Sequence, residues 1–153
     1  MQKRYSIFLD PSYDVFHENN MFNLKDNFYN RDNQLLPFFR IKEFFNSLNV
    51  QVNTADYLLK KEHVSETNYY FSFGSTTYKK LLKRKSVKFK AFFIMEPVIL
   101  APHLYKLLPE LTKLFDEVYL HNTTGKGYSL KNVDKTKLKK IYWPMPYAGV
   151  LED

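Results

Sequence analysis

Val87-Lys88-Phe89-Lys90-Ala91-Phe92-Phe93-Ile94-Met95-Glu96-Pro97 is the stretch on which the reading of this chain turns. Ala91 to Met95 is apolar without a break. A short continuous run of this kind reads as a strand buried on both faces, the habit of a parallel sheet covered by helices. Glu96 ends the run, and Pro97 cannot donate to a further ladder. In open parallel sheets, ligands bind just outside the carboxyl ends of the strands. Glu96 is therefore either a solvated strand-end glutamate or a carboxylate placed for function.

Composition narrows the classes. The chain has 153 residues, a length that suits one domain spanning residues 1–153 with a real core. At 44% hydrophobic and 18% aromatic it is globular, not disordered. It has no cysteine, which removes disulfides, thiolate zinc sites and cysteine nucleophiles. No apolar run is long enough to span a bilayer, and Ile7 to Leu9 is too short for a signal-peptide core. The expected location is cytoplasmic. The net charge of +7 favours acidic partners. Part of it gathers at Lys79, Lys80, Lys83, Arg84, Lys85, Lys88 and Lys90, which reads as a solvated face or as a polyanion-binding patch.

Outward from the central strand, strands alternate with helices. Tyr5 to Leu9 reads as the first strand, ending at Asp10-Pro11. Ser12 to Gln34 reads as a long loop, rich in asparagine and aromatic residues, such as Tyr13, Asn19 and Asn20. Loops of this length are functional or disordered. Here the choice lies between a loop whose aromatics stack on sugar rings or bases while its amides hydrogen-bond their edges, and a floppy insertion whose aromatics cover the core. Pro37 suits a first helical turn, and Ile41, Phe44, Phe45 and Leu48 form a core-facing stripe. Val50 to Thr54 and Tyr69 to Phe73 read as the second and third strands, the latter closed by Gly74. Ser75 or Thr76 can cap a helix bearing Tyr78, Leu81 and Leu82. After the central strand, Pro102 to Phe115 carries an apolar face interrupted by Pro109, which implies two abutting helical pieces. Val118 to His121 and Lys140 to Trp143 complete six strands. The expected fold is α/β, a Rossmann-like doubly wound parallel sheet, with 3-2-1-4-5 as the common strand order. Asp10, Thr54, Gly74 and Glu96 then fall along one edge.

Several chemistries are disfavoured. Asp10-Pro11-Ser12 stands where a dinucleotide fold needs G-x-G-x-x-G. Thr124-Gly125-Lys126-Gly127 lacks the spacing of a phosphate loop. His17, His63, His103 and His121 show no metal-ligand spacing, so no metal is expected. His103, seven positions after Glu96, either lines the same cleft or lies on the surface. No RNA-binding signature is present.

Phe92-Phe93-Ile94-Met95-Glu96-Pro97, then Ala101 to Asn122, then Tyr142-Trp143-Pro144-Met145-Pro146-Tyr147 resembles the amino-terminal half of family-10 glycosyltransferases, the α-1,3-fucosyltransferase-like enzymes. The resemblance implies one half of a GT-B architecture, in which this half takes the acceptor sugar. The other half takes a nucleotide sugar, GDP-fucose in the named members. It further implies inverting transfer, with Glu96 at the position of the general base in a Glu-Ser-Pro-type motif; here no serine separates Glu96 from Pro97. Asp10, Tyr13, Asn19, Asn20 and His103 are the expected acceptor-binding residues. No cofactor is expected within the chain, the glycan acceptor is its expected partner, and the donor-binding domain is expected to lie outside it, leaving this chain inactive alone. A basic α/β module that binds RNA or another polyanion without catalysis is the competing expectation.

Overall fold

A computed structural model describes residues 4–142. Its frame is a six-stranded parallel sheet in the order β2-β1-β3-β4-β5-β6. The strands are β1 (Tyr5–Pro11), β2 (Gln51–Thr54), β3 (Thr67–Phe73), β4 (Val87–Phe93), β5 (Glu117–Leu120) and β6 (Leu138–Lys140). The helices are α1 (Leu36–Ser47), α2 (Ala55–Lys60), α3 (Pro102–Tyr105) and α4 (Leu108–Leu114). This is an α/β, Rossmann-like fold. Among the described residues, no helix is long and apolar enough to cross a membrane.

The strand order departs from the expected 3-2-1-4-5. The two long strands β1 and β3 lie side by side instead. β1 and β3 are each seven residues long and pair over their whole length, from Tyr5 with Thr67 to Pro11 with Phe73. β2, with only four residues, fills the outer edge and pairs with Ser6 to Leu9 alone. The third strand crosses back over β1 instead of extending beyond β2.

Two apolar layers sandwich the sheet. On one face Phe8, Tyr70, Phe92, Ile94, Val118 and Leu120 pack against Tyr78, Leu81, Leu104, Leu108, Leu111 and Phe115. On the other, Ile7, Leu9, Val52 and Phe73 meet Phe38, Ile41 and Phe45 of α1, together with Met21 and Phe22. β4 serves both faces through a bulge. Tyr70 pairs with Phe89 but Phe71 pairs with Ala91, which leaves Lys90 as the extra residue. The bulge resets the alternation, so Phe89 and Phe92 reach the same layer although three positions separate them. Phe92 is fully buried, whereas Phe93 is half-buried and not enclosed as a doubly covered strand implies.

Local details follow from side-chain chemistry. Pro109 sits in the first turn of α4, so the interrupted pattern resolves into two abutting helices. In α1 the inward stripe is Phe38, Ile41 and Phe45, while Phe44 and Leu48, expected in the core, are exposed. The segment after β3 forms a 3-10 turn over Thr77–Lys80 instead of an α-helix, with Ser75 Oγ accepting from Thr77 N at 3.2 Å and Leu82 left outside. β6 begins two residues earlier than expected, because Leu138 is the inward residue and Lys139 and Lys140 point out. Trp143 to Tyr147 lies outside the described residues.

Replacing the buried Phe92 with alanine leaves a large cavity under Phe115 and Tyr78, whose rings it meets edge-on. Phe92→Ala is expected to cost roughly 3–5 kcal/mol, and Phe93→Ala clearly less. Chemical denaturation measures both; equal losses, or a small loss at Phe92, would contradict the layer assignment.

Candidate functional site

The crossovers leave β1 toward β2 on one side and continue from β3 toward β4 on the other. The switch in direction lies between β1 and β3, the place where open α/β sheets bind ligands. Three strand exits converge there: Asp10 to Ser12, Phe73 to Ser75, and Met95-Glu96. An isolated bridge joins Pro11 to Gly74, and Ser12 Oγ donates to the Phe73 carbonyl. Gly74 takes φ +90°, and a Cβ there would stand 3.1 Å from Ser12 Oγ and 3.6 Å from Leu104 Cδ1. Glycine thus permits both the turn and the close approach.

A cleft of about 420 Å³ opens at these exits, within the usual size range of small-molecule sites. Pro11, Ser12, Tyr13, Phe16, Met21, Arg31, Asp32, Gln34, Leu35, Phe38, Phe73, Gly74, Met95, Glu96 and Leu104 line it. Its floor is apolar: Met21, Leu35, Phe73 and Leu104 are all buried. Its rim is polar: Tyr13, Arg31, Asp32, Gln34 and Glu96 are exposed.

Glu96 stands on this rim. Its carboxylate makes no hydrogen bond with the described residues, while the main chain around it is pinned. Tyr105 Oη donates to the Glu96 carbonyl at 3.0 Å, and His121 Nε2 donates to the Met95 carbonyl at 2.5 Å. Its side chain is exposed, open to the cleft and to solvent. It does not cap the next helix; the Pro97 carbonyl accepts from Leu100 N and Ala101 N at 3.0 and 3.1 Å instead.

The other expected residues divide. Tyr13 lies on the rim, 68% exposed. Asn19 is committed to structure: its amide bonds Asn53 Oδ1 at 3.0 Å, and its Oδ1 accepts from Thr54 N at 2.9 Å. Asn20 and His103 are exposed and stand apart from the cleft lining, although Leu104 next to His103 contributes to it. The loop that carries Tyr13 holds three 3-10 turns, and its first half is fastened by Asn19, by Glu18 N donating to Asp56 Oδ2 at 3.2 Å, and by buried Met21 and Phe22.

Asp10 lies beneath the exits, fully buried. Tyr70 Oη donates to its Oδ2, and His17 Nε2 stands 3.9 Å from its Oδ1. That Oδ1 has no hydrogen-bond partner among the described residues, and neither has the buried Oδ1 of Asp56. Burial pushes the Asp10 carboxyl up from 3.8 to about 6; the hydroxyls of Tyr70 and Ser75 and the charge of His17 act the other way, and Asp56 adds to the rise. Burial and the neighbouring Asp10 charge raise the Tyr70 phenol, which keeps it a donor.

Sequence reasoning missed Arg31, Asp32, Gln34 and the floor residues. Phe38 was the readable one, since Phe38, Ile41 and Phe45 share one helical face. In the lysine-rich segment, Arg84 donates to the Leu58 and Leu59 carbonyls and Lys90 pairs with Asp116, which leaves the other five cations exposed. Among the described residues no group of three histidine, aspartate or glutamate side chains could hold a metal ion. No protein-family model, no curated protein and no solved structure matches the chain.

Asp10 has a folded-state value above its unfolded one, so its protonated form is the one that folding favours. That contribution is fully present below about pH 3.8 and is lost as pH rises through 6. The loss reaches about 3 kcal/mol at most. Asp10→Asn, which can still accept from Tyr70, should therefore be more stable than the parent at pH 7 and not at pH 4. Stability curves measured against pH check this; parallel curves for parent and variant would refute it.

Proposed function

We propose that this chain is the acceptor-side domain of an inverting, fucosyltransferase-like glycosyltransferase, one half of a GT-B architecture, with Glu96 as its general base. The observation that carries the reading is an exposed carboxylate with no hydrogen-bonding partner among the described residues, held by a pinned main chain on the rim of the switch-point cleft. The resemblance around Phe92 to Pro97 supports the same reading, because Glu96 stands at the matching position of the family's proposed base.

The chemistry suits the arrangement. A sugar hydroxyl is a poor nucleophile at neutral pH. A positioned carboxylate takes its proton as the new bond to the anomeric carbon forms and the bond to the nucleotide diphosphate breaks. The departing diphosphate of GDP-fucose needs cations or N–H donors, which fall to a nucleotide-sugar domain. Tyr13, Arg31, Asp32 and Gln34 on the rim offer ring and hydrogen-bonding contacts to the acceptor. The reading places the enzyme in the cytoplasm.

Glu96→Gln removes the base and keeps the shape. In the enzyme that joins this domain to its nucleotide-sugar domain, turnover is expected to fall about 10²–10⁴-fold. The melting temperature should hold, because the exposed carboxylate supports no fold contact. Full turnover in the folded variant would end the assignment.

A further inference from the structure

The polarity of the cleft is divided in a way that a bare sugar does not satisfy. On the floor, Met21, Leu35, Phe38, Phe73 and Met95 offer no hydrogen-bonding group suited to a hydroxyl except a thioether. Ser12 Oγ, which also lines the cleft, already donates to the Phe73 carbonyl. A sugar pressed onto this floor would lose its hydration without replacement, and each unpaired hydroxyl weakens binding. The polar side chains, Glu96 among them, stand on the rim. The floor also continues outward. Phe73 stacks on Phe93 at 4.8 Å, and Phe93 on Tyr119 at 4.8 Å, with Phe93 and Tyr119 both half-buried. An aromatic strip thus leads from the floor across β4 to β5.

We infer that the acceptor is amphiphilic: a glycoside whose apolar aglycone, an alkyl or lipid-type chain, lies on the floor and strip while its sugar stands at the rim beside Glu96. The inference rests on the acceptor-side reading of the cleft and adds the class of acceptor. Length of the aglycone sets affinity until the apolar surface is covered, at roughly fourfold per buried methylene. The sugar sets orientation, through the rim.

The test is calorimetric titration of the full chain with octyl and methyl β-glycosides of glucose, galactose and N-acetylglucosamine, below the micelle-forming concentration, with octane-1,2-diol as the chain without a sugar. At least one octyl glycoside is expected to bind tenfold or more tightly than its methyl counterpart and more tightly than the diol. Phe38→Gln and Met95→Gln, two independent floor variants, should each erase the preference for octyl over methyl. Leu82→Gln, at an exposed leucine outside the cleft lining, should leave it unchanged. Equal binding of octyl and methyl glycosides would overturn the amphiphilic acceptor and leave the sugar site standing. Equal binding of octyl glycosides and the diol would overturn both, as would no binding at all. A preference that survives both floor variants, or falls equally with Leu82→Gln, would place the chain elsewhere and overturn the inference.

Discussion

The full-length parallel pairing of β1 with β3 is the constraint on which the rest depends. It aligns Pro11 with Phe73, so that two chain exits leave the sheet side by side. The bulge at Lys90 then brings β4 into register with both layers. Phe92 enters the core, and Met95 and Glu96 emerge beside the other two exits. A cleft follows because the turns at Ser12 and Gly74 lock together while the loop after β1 rises to form one wall. If the pairing slipped by one residue, inward and outward side chains would exchange and the wall would dissolve.

The ground beneath this edge is electrostatically costly. Asp10 is buried with one oxygen that has no hydrogen-bond partner among the described residues, and Asp56 repeats the pattern nearby. Unpaired buried carboxylate oxygens destabilise a fold, and they concentrate where structure is held for reasons other than stability. Here they sit under the loop that carries Tyr13 and Phe16 to the cleft. His17 and the main chain of Glu18 lie across the two acids, and Asn19 ties the same loop to Asn53 and Thr54. The wall of the cleft is thus fixed to the sheet through polar contacts at its carboxyl edge and through Met21 and Phe22 below.

Much of this was readable in the residues. The apolar run Ala91 to Met95 located the central strand, and the Glu96-Pro97 stop located a carboxylate at the right edge. Pro109 announced the break between α3 and α4. What escaped had physical causes. Strand order depends on which strands pair across the sheet, a non-local property that a pattern along the chain does not carry. The bulge at Lys90 broke the two-residue period, so the enclosure of Phe93 could not be judged from its neighbours. Asn19 looked like a ligand-binding amide because nothing in the local sequence reveals that Asn53 and Thr54 meet it. The rim residues Arg31, Asp32 and Gln34 come from turns with left-handed residues, Asp32 at φ 56° and Asn33 at φ 55°, which no periodicity marks.

The central claim is that ligands meet this chain at the carboxyl edge, in the cleft where β1, β3 and β4 end. Backbone amide shifts recorded while a glycoside is added test it most directly. The amides of Gly74, Met95 and Glu96 should move together with saturation, and those from Lys79 to Lys88 should stay in place. Shifts confined to the Lys79–Lys88 segment, with Gly74, Met95 and Glu96 unmoved, would contradict it.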